Sequence, residues 1–317
     1  MAKEAFDEWV LAQYEGIFFR SPFALVAENQ FGRSYIDQCT SCLDGESLPW
    51  QRLENKEHMK RVFPTITGPS TGDNFYGYCN FSAGWADAQL AIAVFRDRCL
   101  ERGVSFVSGL RGTVSGFQVD PSTKRITAVE TEAGNTMSGD MFILAAGAWT
   151  SRLVSMYNST LATGQVLGFI KLTEVEMKKY RDLPICINFT TGWFCFPPHP
   201  DSMYLKFAVH GWGYTHTTRT DGSSAGTATA PVGRESDNAI GLSAPPHRRA
   251  FRRTNFAPED GVQRLRQGLQ QILPELSSRE FDRTAVCWYT DTPTGDFIMD
   301  FHPDHPNLFL ATGGSGQ

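Results

Sequence analysis

A lysine and a histidine lie four residues apart in a predicted strand at residues 203–210. Because side chains alternate between the two faces of a β-strand, Lys206 and His210 share one face, and Leu205 and Phe207 share the other. An imidazole at such a place can hydrogen-bond a substrate or exchange a proton. A fixed ammonium group can stabilise negative charge that develops on a reactant. The same pair is equally typical of the solvated face of an antiparallel sheet, so the strand alone does not decide its role.

The C-terminal stretch, residues 287–317, holds the most specific pattern. It opens with Cys287 in the segment Cys-Trp-Tyr-Thr-Asp-Thr-Pro, which closes a predicted strand and turns. Residues 307–312 form a continuous apolar strand that runs into Gly-Gly-Ser-Gly at 313–316. Glycines after a buried strand let backbone amides approach an anionic or planar ligand closely. We therefore expect a ligand to lie against the end of this strand.

A second strand end has the same character. Residues 141–144 are all apolar, and Ala-Ala-Gly-Ala-Trp follows at 145–149. Small residues are needed where a strand end meets a cofactor, because a bulky side chain would hold the ligand away. A plain strand-to-helix turn has the same composition. We interpret this segment as part of a cofactor site because the glycine run near the C-terminus occurs in the same chain.

Together these segments resemble the fungal fructosyl amino acid oxidases (amadoriases), which belong with monomeric sarcosine oxidase to a family of FAD-dependent amine oxidases. Cys-x-Tyr-Thr-x-Thr-Pro from Cys287, Gly-Ser-Gly from Gly314 and Leu-Lys-x-x-x-His from Leu205 carry the resemblance. It implies a mixed α/β (α+β) fold, in which a partial FAD-binding Rossmann-like domain is interleaved with an antiparallel-sheet substrate domain. It also implies FAD as the cofactor. The substrates would be a small-molecule amine and O2, and hydrogen peroxide would be a product.

The resemblance also assigns a role to each matching residue. It implies a covalent thioether between Cys287 and the flavin, a place for Lys206 over the flavin ring near N5, and a place for His210 on the substrate side. The remaining implied residues are Val114, Ala146, Gly147, Trp149, Gly314, Ser315 and Gly316 at the cofactor, and Trp193 and Phe194 at the substrate. Core packing explains Trp193 and Phe194 nearly as well, and Val114 is also typical of an ordinary edge strand.

The chain departs from the family pattern at both ends. It has no Gly-x-Gly-x-x-Gly, the glycine motif through which a βαβ unit brings a pyrophosphate to a helix N-terminus. Gln317 stands where the family has histidine, and the lysine that pairs with the substrate carboxylate is absent. The resemblance therefore covers the middle of the family's fold. We expect the chain as written to lack part of what FAD binding requires, and an inactive remnant stays an alternative.

Composition and charge exclude other classes of function. With 20% charged residues and a net charge of −5, the chain offers no reason to expect a nucleic acid or membrane partner. No apolar run approaches the ~20 residues that span a bilayer, and residues 1–5 do not open a signal peptide. Cys39 and Cys42 have no second pair at metal spacing, which argues against zinc and favours reduced thiols. We expect an intracellular monomer, cytoplasmic or peroxisomal.

Periodicity and turn residues predict the elements that would position these side chains. Helices are predicted at 2–12, from Ala83 to Gly103, from Ser151 and from Pro258, with Leu265, Leu269 and Ile272 buried. Strands are predicted at 104–107, 116–119, 126–131, 141–144, 165–172, 185–189, 193–196 and 203–210. Residues 20–82 show few clean periodicities, and residues 215–256 are predicted to form a long surface excursion.

These elements predict two interleaved domains. The partial FAD-binding domain comprises 1–25, 83–160 and 294–317, and the substrate domain comprises 26–82 and 161–293. The first hypothesis is oxidation of the C–N bond of a secondary amine, with fructosyl amino acids as the first substrates. Sarcosine, pipecolate, saccharopine or an amine of a fungal secondary pathway are the alternatives. An NAD-dependent dehydrogenase is disfavoured because it needs the same missing glycine motif and gives Cys287 no role.

Overall fold

The chain forms two compact units in a computed structural model that describes residues 17–218, 242–246 and 257–315. The first unit comprises Met1–Cys99, Val166–Gly211 and Arg253–Val286. The second comprises Leu100–Gln165, Trp212–Arg252 and Cys287–Gln317. The assignment of cofactor and substrate domains made from the sequence stays a prediction.

The helices and strands are short and alternate along the chain. The strands are β1 Phe18–Arg20, β2 Phe23–Ala27, β3 Trp50–Leu53, β4 Tyr76–Asn80, β5 Gly84–Ala86, β6 Val114–Val119, β7 Ile126–Thr131, β8 Thr136–Ser138, β9 Phe142–Leu144, β10 Leu161–Lys171, β11 Ile185–Asn188, β12 Trp193–Cys195, β13 Tyr204–Val209, β14 Thr217–Thr218, β15 Leu242–Ser243, β16 Arg283–Asp291, β17 Ile298–His302 and β18 His305–Thr312. The helices are α1 Gln30–Gly45, α2 Lys56–Val62, α3 Ala88–Glu101, α4 Thr150–Leu153, α5 Glu174–Tyr180 and α6 Glu259–Ile272.

A mixed sheet, ordered β16-β10-β13-β12-β11-β2-β4-β3, organises the first unit, and the boundaries between the two units fall within its strands β10 and β16. From β10 to β3 its strands pair antiparallel, except that β11 runs parallel to β2. Helix α6 buries its predicted stripe, and Leu265, Leu269 and Ile272 are all fully buried. Helix α1 packs Ile36 into a cluster with Leu25 and Tyr78.

The second unit contains two small sheets that share an apolar core. In one, β18 pairs antiparallel with β17 and parallel with β9; in the other, β6, β7 and β8 form a meander. The side chain of Asn307 on β18 joins the two sheets, because its Oδ1 accepts from Ile126 N at 2.9 Å and its Nδ2 donates to Ile126 O at 2.8 Å. Because β9 and β18 run parallel, their carboxyl ends lie at the same edge of their sheet.

Two local predictions were wrong, and one stretch holds elements that the sequence did not predict. The helix predicted from Ala83 begins at Ala88, because Gly84–Ala86 pairs with β1 and the Trp85 ring stacks on Phe19 at 4.3 Å. Residues 104–107, predicted as a strand, have no regular structure and leave Phe106 53% exposed. Residues 20–82 contain five elements that the weak periodicity did not reveal.

Most of the other predicted elements were confirmed. Helix α3 ends shortly before Gly103, whose φ of 82° is the conformation expected of a helix-ending glycine. The hairpin around Asp120, the strand at 142–144 and the strands of the first sheet are present. The helix predicted at 2–12 and most of the surface excursion at 215–256 lie outside the described residues.

Asp87 links the end of β5 to the start of α3. Its Oδ1 accepts from Leu90 N at 3.0 Å, and its Oδ2 lies 3.2 Å from His199 Nε2. The Leu90 N–H is the main cause that holds the pKa of Asp87 below its usual range, and His199 adds to it.

Replacing Asp87 by Ala is expected to lower the free energy of unfolding by about 0.5–2 kcal/mol, the usual cost of losing a helix cap. Because the folded-state pKa is depressed, this stabilisation is present above the unfolded pKa of ~3.9 and is lost as the pH falls through the lower folded value. Urea unfolding of both proteins from about pH 7 to about pH 2 measures the difference. Asp73→Ala, at an exposed ion pair with Lys56, is the control. A difference that stays constant with pH would contradict the assignment.

Candidate active site

Lys206 lies in the middle of β13, where its side chain is exposed while those of Leu205 and Phe207 are fully buried. In the sheet it lies opposite Phe169 of β10 on one side. On the other side Phe196 N donates to Lys206 O at 3.1 Å. The Lys206 Nζ lies 5.3 Å from the centroid of the Phe196 ring, within the range of a cation–π contact. The ammonium group therefore stands on the open face of the sheet, beside an aromatic ring.

His210 follows the last residue of β13 and is exposed. Its backbone N donates to Gly192 O at 2.8 Å, which extends the pairing of β13 with β12 by one step. Gly192 has a φ of 72°, and a Cβ built there would lie 1.8 Å from His210 O. A glycine at 192 is thus required for the backbone position of His210.

Trp193 and Phe194 lie on opposite faces of the sheet, as neighbours in a strand must. The Trp193 ring is 1% exposed and packs under α6, where its Nε1 donates to Leu265 O at 3.2 Å. Gly268 makes room for it, because a Cβ there would lie 2.0 Å from the ring. Phe194 is half-buried and meets Phe196 edge-on at 5.8 Å. Phe194 therefore shares the Lys206 face, and Trp193 does not.

In the second unit, Cys287 lies on β16 with its side chain exposed. By strand alternation Tyr289 and Asp291 share its face. Burial raises the pKa of Tyr289, and the neighbouring Cys287 and Asp291 add to the rise. Tyr289 is consequently a neutral phenol beside the Cys287 thiol at physiological pH.

Ser315 joins the two halves of the C-terminal motif. Its Oγ accepts from Thr292 N at 3.0 Å and donates to Thr290 O at 3.2 Å. The end of β16, with its Thr-Asp-Thr-Pro, is thereby tied to the glycine loop that follows β18. Gly314 in this loop has nothing within 4 Å of the place where a Cβ would stand, so its backbone is open on that side. Gly316 lies outside the described residues.

Small residues also follow β9. Gly147 has a φ of 52°, and its carbonyl accepts from Thr312 Oγ1 at 3.4 Å. Ala146 is half-buried and Trp149 is 47% exposed. Because Thr312 ends β18 and is followed by the glycine loop, segment 146–149 lies close to that loop.

Val114 begins β6 in the meander sheet, where it is half-buried opposite Thr131. Strand β6 contacts α4, the helix that follows Trp149. Val114 is thus connected to segment 146–149 through a neighbouring element.

The second unit has the features that a flat, anionic cofactor needs. The ends of two parallel strands carry small residues, one of these residues has an open backbone, and an exposed thiol lies on the strand tied to the same loop. Flavin nucleotides are planar at one end and carry a pyrophosphate, and ligands of open α/β sheets bind beyond the carboxyl ends of the strands. The residues that are present therefore fit FAD.

The full chain, residues 1–317, matches the profile of the family described as FAD dependent oxidoreductase. The chain belongs to this family. Within the residues that the structure describes, no group of three or more His, Cys, Asp or Glu side chains could hold a metal ion. Among the same residues, no helix has the length and apolar character needed to cross a membrane.

Curated relatives of this chain include an L-saccharopine oxidase of Schizosaccharomyces pombe, 27% identical over 84% of this chain and 59% of that protein. A monomeric sarcosine oxidase of a Bacillus species is 26% identical over 90% of this chain and 63% of that protein. This chain spans about three-fifths of the length of these relatives.

Two solved structures show the fold. The fructosamine oxidase Amadoriase II of Aspergillus fumigatus superposes with a TM-score of 0.81, at 23% identity, over 100% of this chain and 68% of that one. A thermally stable mutant of a fructosyl peptide oxidase gives a TM-score of 0.84, at 23% identity, over 99% and 71%. The mixed α/β fold predicted from the sequence is confirmed.

Sequence reasoning missed Phe196, which contacts Lys206, and the ring side chains that pack beyond it. Phe196 has the same alternation as Phe194 on β12, so the strand pattern already placed it on the Lys206 face. Trp85 was interpreted as part of a helix start, but its ring lies 6.3 Å from Phe196 in the structure. His199, which contacts Trp85, had no recognisable signal in its Pro-His-Pro segment.

Proposed function

We propose that this chain carries the flavin-anchoring and catalytic residues of an FAD-dependent oxidase that acts on the C–N bond of secondary amines. The observation that carries the proposal is the tie between the Cys287 strand and the glycine loop through Ser315, in a member of the FAD dependent oxidoreductase family. FAD, when bound, supplies the chemistry: it accepts a hydride from the carbon beside nitrogen and passes the electrons to O2, which gives hydrogen peroxide.

The second unit supplies the residues proposed to hold the cofactor. Cys287 would hold the flavin through a thioether to its Sγ, since its thiol is exposed on the strand whose end Ser315 ties to the glycine loop. The open backbone at Gly314 and the left-handed turn at Gly147 leave space for the flat ring and the pyrophosphate. The remaining residues proposed to bind the cofactor are Val114, Ala146, Trp149, Ser315 and Gly316.

The first unit supplies the residues proposed to act on the reactants. The Lys206 ammonium stabilises the negative charge that O2 acquires when it takes its first electron. The His210 imidazole lines the substrate side, where it hydrogen-bonds the amine or takes its proton. Phe194 forms part of the aromatic wall of the pocket, and Trp193 supports that wall through its packing under α6.

Fructosyl amino acids are the substrates that we propose first, on the sequence motifs and on the fold shared with fructosyl amine oxidases. The names of the 27% and 26% identical relatives favour a second candidate, an amino acid amine such as saccharopine or sarcosine. We also propose a fungal source, a monomer, and a place in the cytoplasm or the peroxisome, where enzymes that release peroxide are common.

A substrate panel separates the candidates. Purified protein reconstituted with FAD is assayed for peroxide release with a fructosyl amino acid, saccharopine, sarcosine, pipecolate and a primary amino acid. We expect the highest kcat/KM with the fructosyl amino acid and none with the primary amino acid. A preference for saccharopine or sarcosine would favour the second candidate. Peroxide release with the primary amino acid alone would contradict a secondary-amine oxidase.

A further inference from the structure

The ring of Phe196 lies beside the Lys206 ammonium group. Phe196 directly follows β12 and continues its pairing with β13, since Phe196 N donates to Lys206 O at 3.1 Å. Side chains of such directly opposed residues project to the same face of a sheet. The Lys206 Nζ lies 5.3 Å from the ring centroid, inside the limit of about 6 Å for cation–π attraction.

Phe169, on the other side of Lys206, is engaged elsewhere. It lies in register with Lys206 on β10, but the Arg283 guanidinium covers its ring at 4.0 Å. Arg283 therefore contacts the Phe169 ring, and Lys206 contacts the Phe196 ring.

Other aromatic residues hold the Phe196 ring in place. Phe194 meets it edge-on at 5.8 Å, and the Trp85 ring lies 6.3 Å away. Trp85 in turn stacks on Phe19 at 4.3 Å and meets His199 edge-on at 5.7 Å. Because aromatic pairs at these distances attract each other, Phe194 and Trp85 restrict the position of the Phe196 ring.

Hydrogen bonds anchor the far end of this group. His199 Nδ1 accepts from Asp201 N at 3.2 Å and from Ser202 N at 3.3 Å. The Nε2 proton then points at Asp87 Oδ2, 3.2 Å away. Asp87 is itself fixed at the start of α3 by the Leu90 N–H. The His199 ring therefore has one orientation, which sets the place of Trp85.

We propose that Phe196 is a positioning residue for Lys206, and that its ring holds the ammonium group in one place through a cation–π contact. The proposal rests on the proposed function, because it gives the cation that acts on O2 a fixed location. A lysine stem is flexible, and a charge that must be oriented during the reaction stabilises less than one already in place. Trp85 and His199 act one step further away, since they hold the ring.

The contact can be measured without flavin. Reductive methylation with 13C-formaldehyde keeps each lysine cationic and gives it an NMR signal that an aromatic ring face shifts upfield. We expect the Lys206 signal, assigned by its loss in Lys206→Met, to lie upfield of those of exposed lysines. It should move to their position in Phe196→Leu and return upfield in Phe196→Tyr, which keeps a ring.

The neighbouring pair of Lys171 and Tyr204, with Nζ 5.3 Å from the ring centroid, is the matched control. Tyr204→Leu should move the Lys171 signal and leave that of Lys206, and Phe196→Leu should do the reverse. A Lys206 signal at the exposed position in the unmodified sequence, or one that ignores Phe196→Leu, would overturn the proposal. Circular dichroism of each variant shows whether it is folded.

The kinetic consequence is measured on FAD-loaded protein. Phe196→Leu should slow reoxidation by O2 about two- to fivefold, the factor that a surface cation–π contact is worth, and Phe196→Tyr should restore the rate. If the NMR signal moves but reoxidation does not slow, although Lys206→Met slows it, positioning by Phe196 is overturned. If Lys206→Met itself leaves reoxidation unchanged, the proposed role of Lys206 in the reaction with O2 is wrong. The NMR experiment still tests the contact between Lys206 and Phe196 independently.

Discussion

Lys206→Met is expected to slow the reaction of the reduced protein with O2 by about 10²–10³-fold, the usual cost of removing one preorganised group that stabilises charge in a reaction. Methionine keeps much of the length of lysine and removes the charge. Because Lys206 is exposed on the open face of β13, the loss should fall on the chemistry and leave stability nearly unchanged.

Stopped-flow mixing separates the two half-reactions. Reduction of the bound flavin by the amine, followed without oxygen, should change far less than reoxidation. Lys171→Met is the matched control, because Lys171 also lies over an aromatic ring, on the neighbouring strand β10. Equal slowing in the control, or a loss confined to the amine half-reaction, would contradict the role given to Lys206.

Cys287→Ala is expected to release all flavin into the supernatant when the protein is precipitated with acid, whereas the unmodified protein should keep it in the precipitate. The thiolate is the nucleophilic form of cysteine, so a linking cysteine must be accessible and able to ionise. Burial raises the pKa of Cys79 and Cys186 to about 12, which leaves both as inert thiols. Cys287 is exposed and lies in the predicted linking motif.

Cys42→Ala tests the specificity of that result, because Cys42 is also exposed but lies on α1 in the first unit. It should leave the flavin in the precipitate. Flavin that is already soluble after acid treatment of the unmodified protein would show noncovalent binding. Flavin that stays in the precipitate after Cys287→Ala would place the link on another residue.

The sequence predicted those elements in which the spacing of apolar residues follows the burial of one face. Strand β13 alternates buried Leu205 and Phe207 with exposed Lys206, and helix α6 carries its buried leucines at helical spacing. In α6 a single buried face decides the pattern, and in β13 the alternation holds up to Ala208, which is buried although it shares the Lys206 face. Strand β5 was missed because its strand form depends on pairing with β1, which is distant in sequence. Helix α1 was missed because only three of its residues are buried, so its periodicity is faint.

The candidate site was predictable in its composition and not in its contacts. The motif around Cys287 and the glycine run indicated a cofactor, but the Ser315 hydroxyl between Thr292 N and Thr290 O is visible only in three dimensions. Strand alternation could have separated Trp193 from Phe194, because the same rule placed Lys206 and His210 on one face. The contact between Phe196 and Trp85 could not be predicted, because the position of Trp85 depends on the pairing of β5 with β1.

The most direct measurement is the absorbance spectrum of the FAD-reconstituted protein before and after anaerobic addition of a fructosyl amino acid, and again after oxygen is admitted. A flavin oxidase of secondary amines should show bound oxidised flavin, bleaching with the amine, and recovery with O2 as peroxide is released. Bound flavin that stays oxidised with every secondary amine of the panel would contradict the proposed function, whereas failure to take up FAD would bear out the expectation that this chain lacks part of what FAD binding requires.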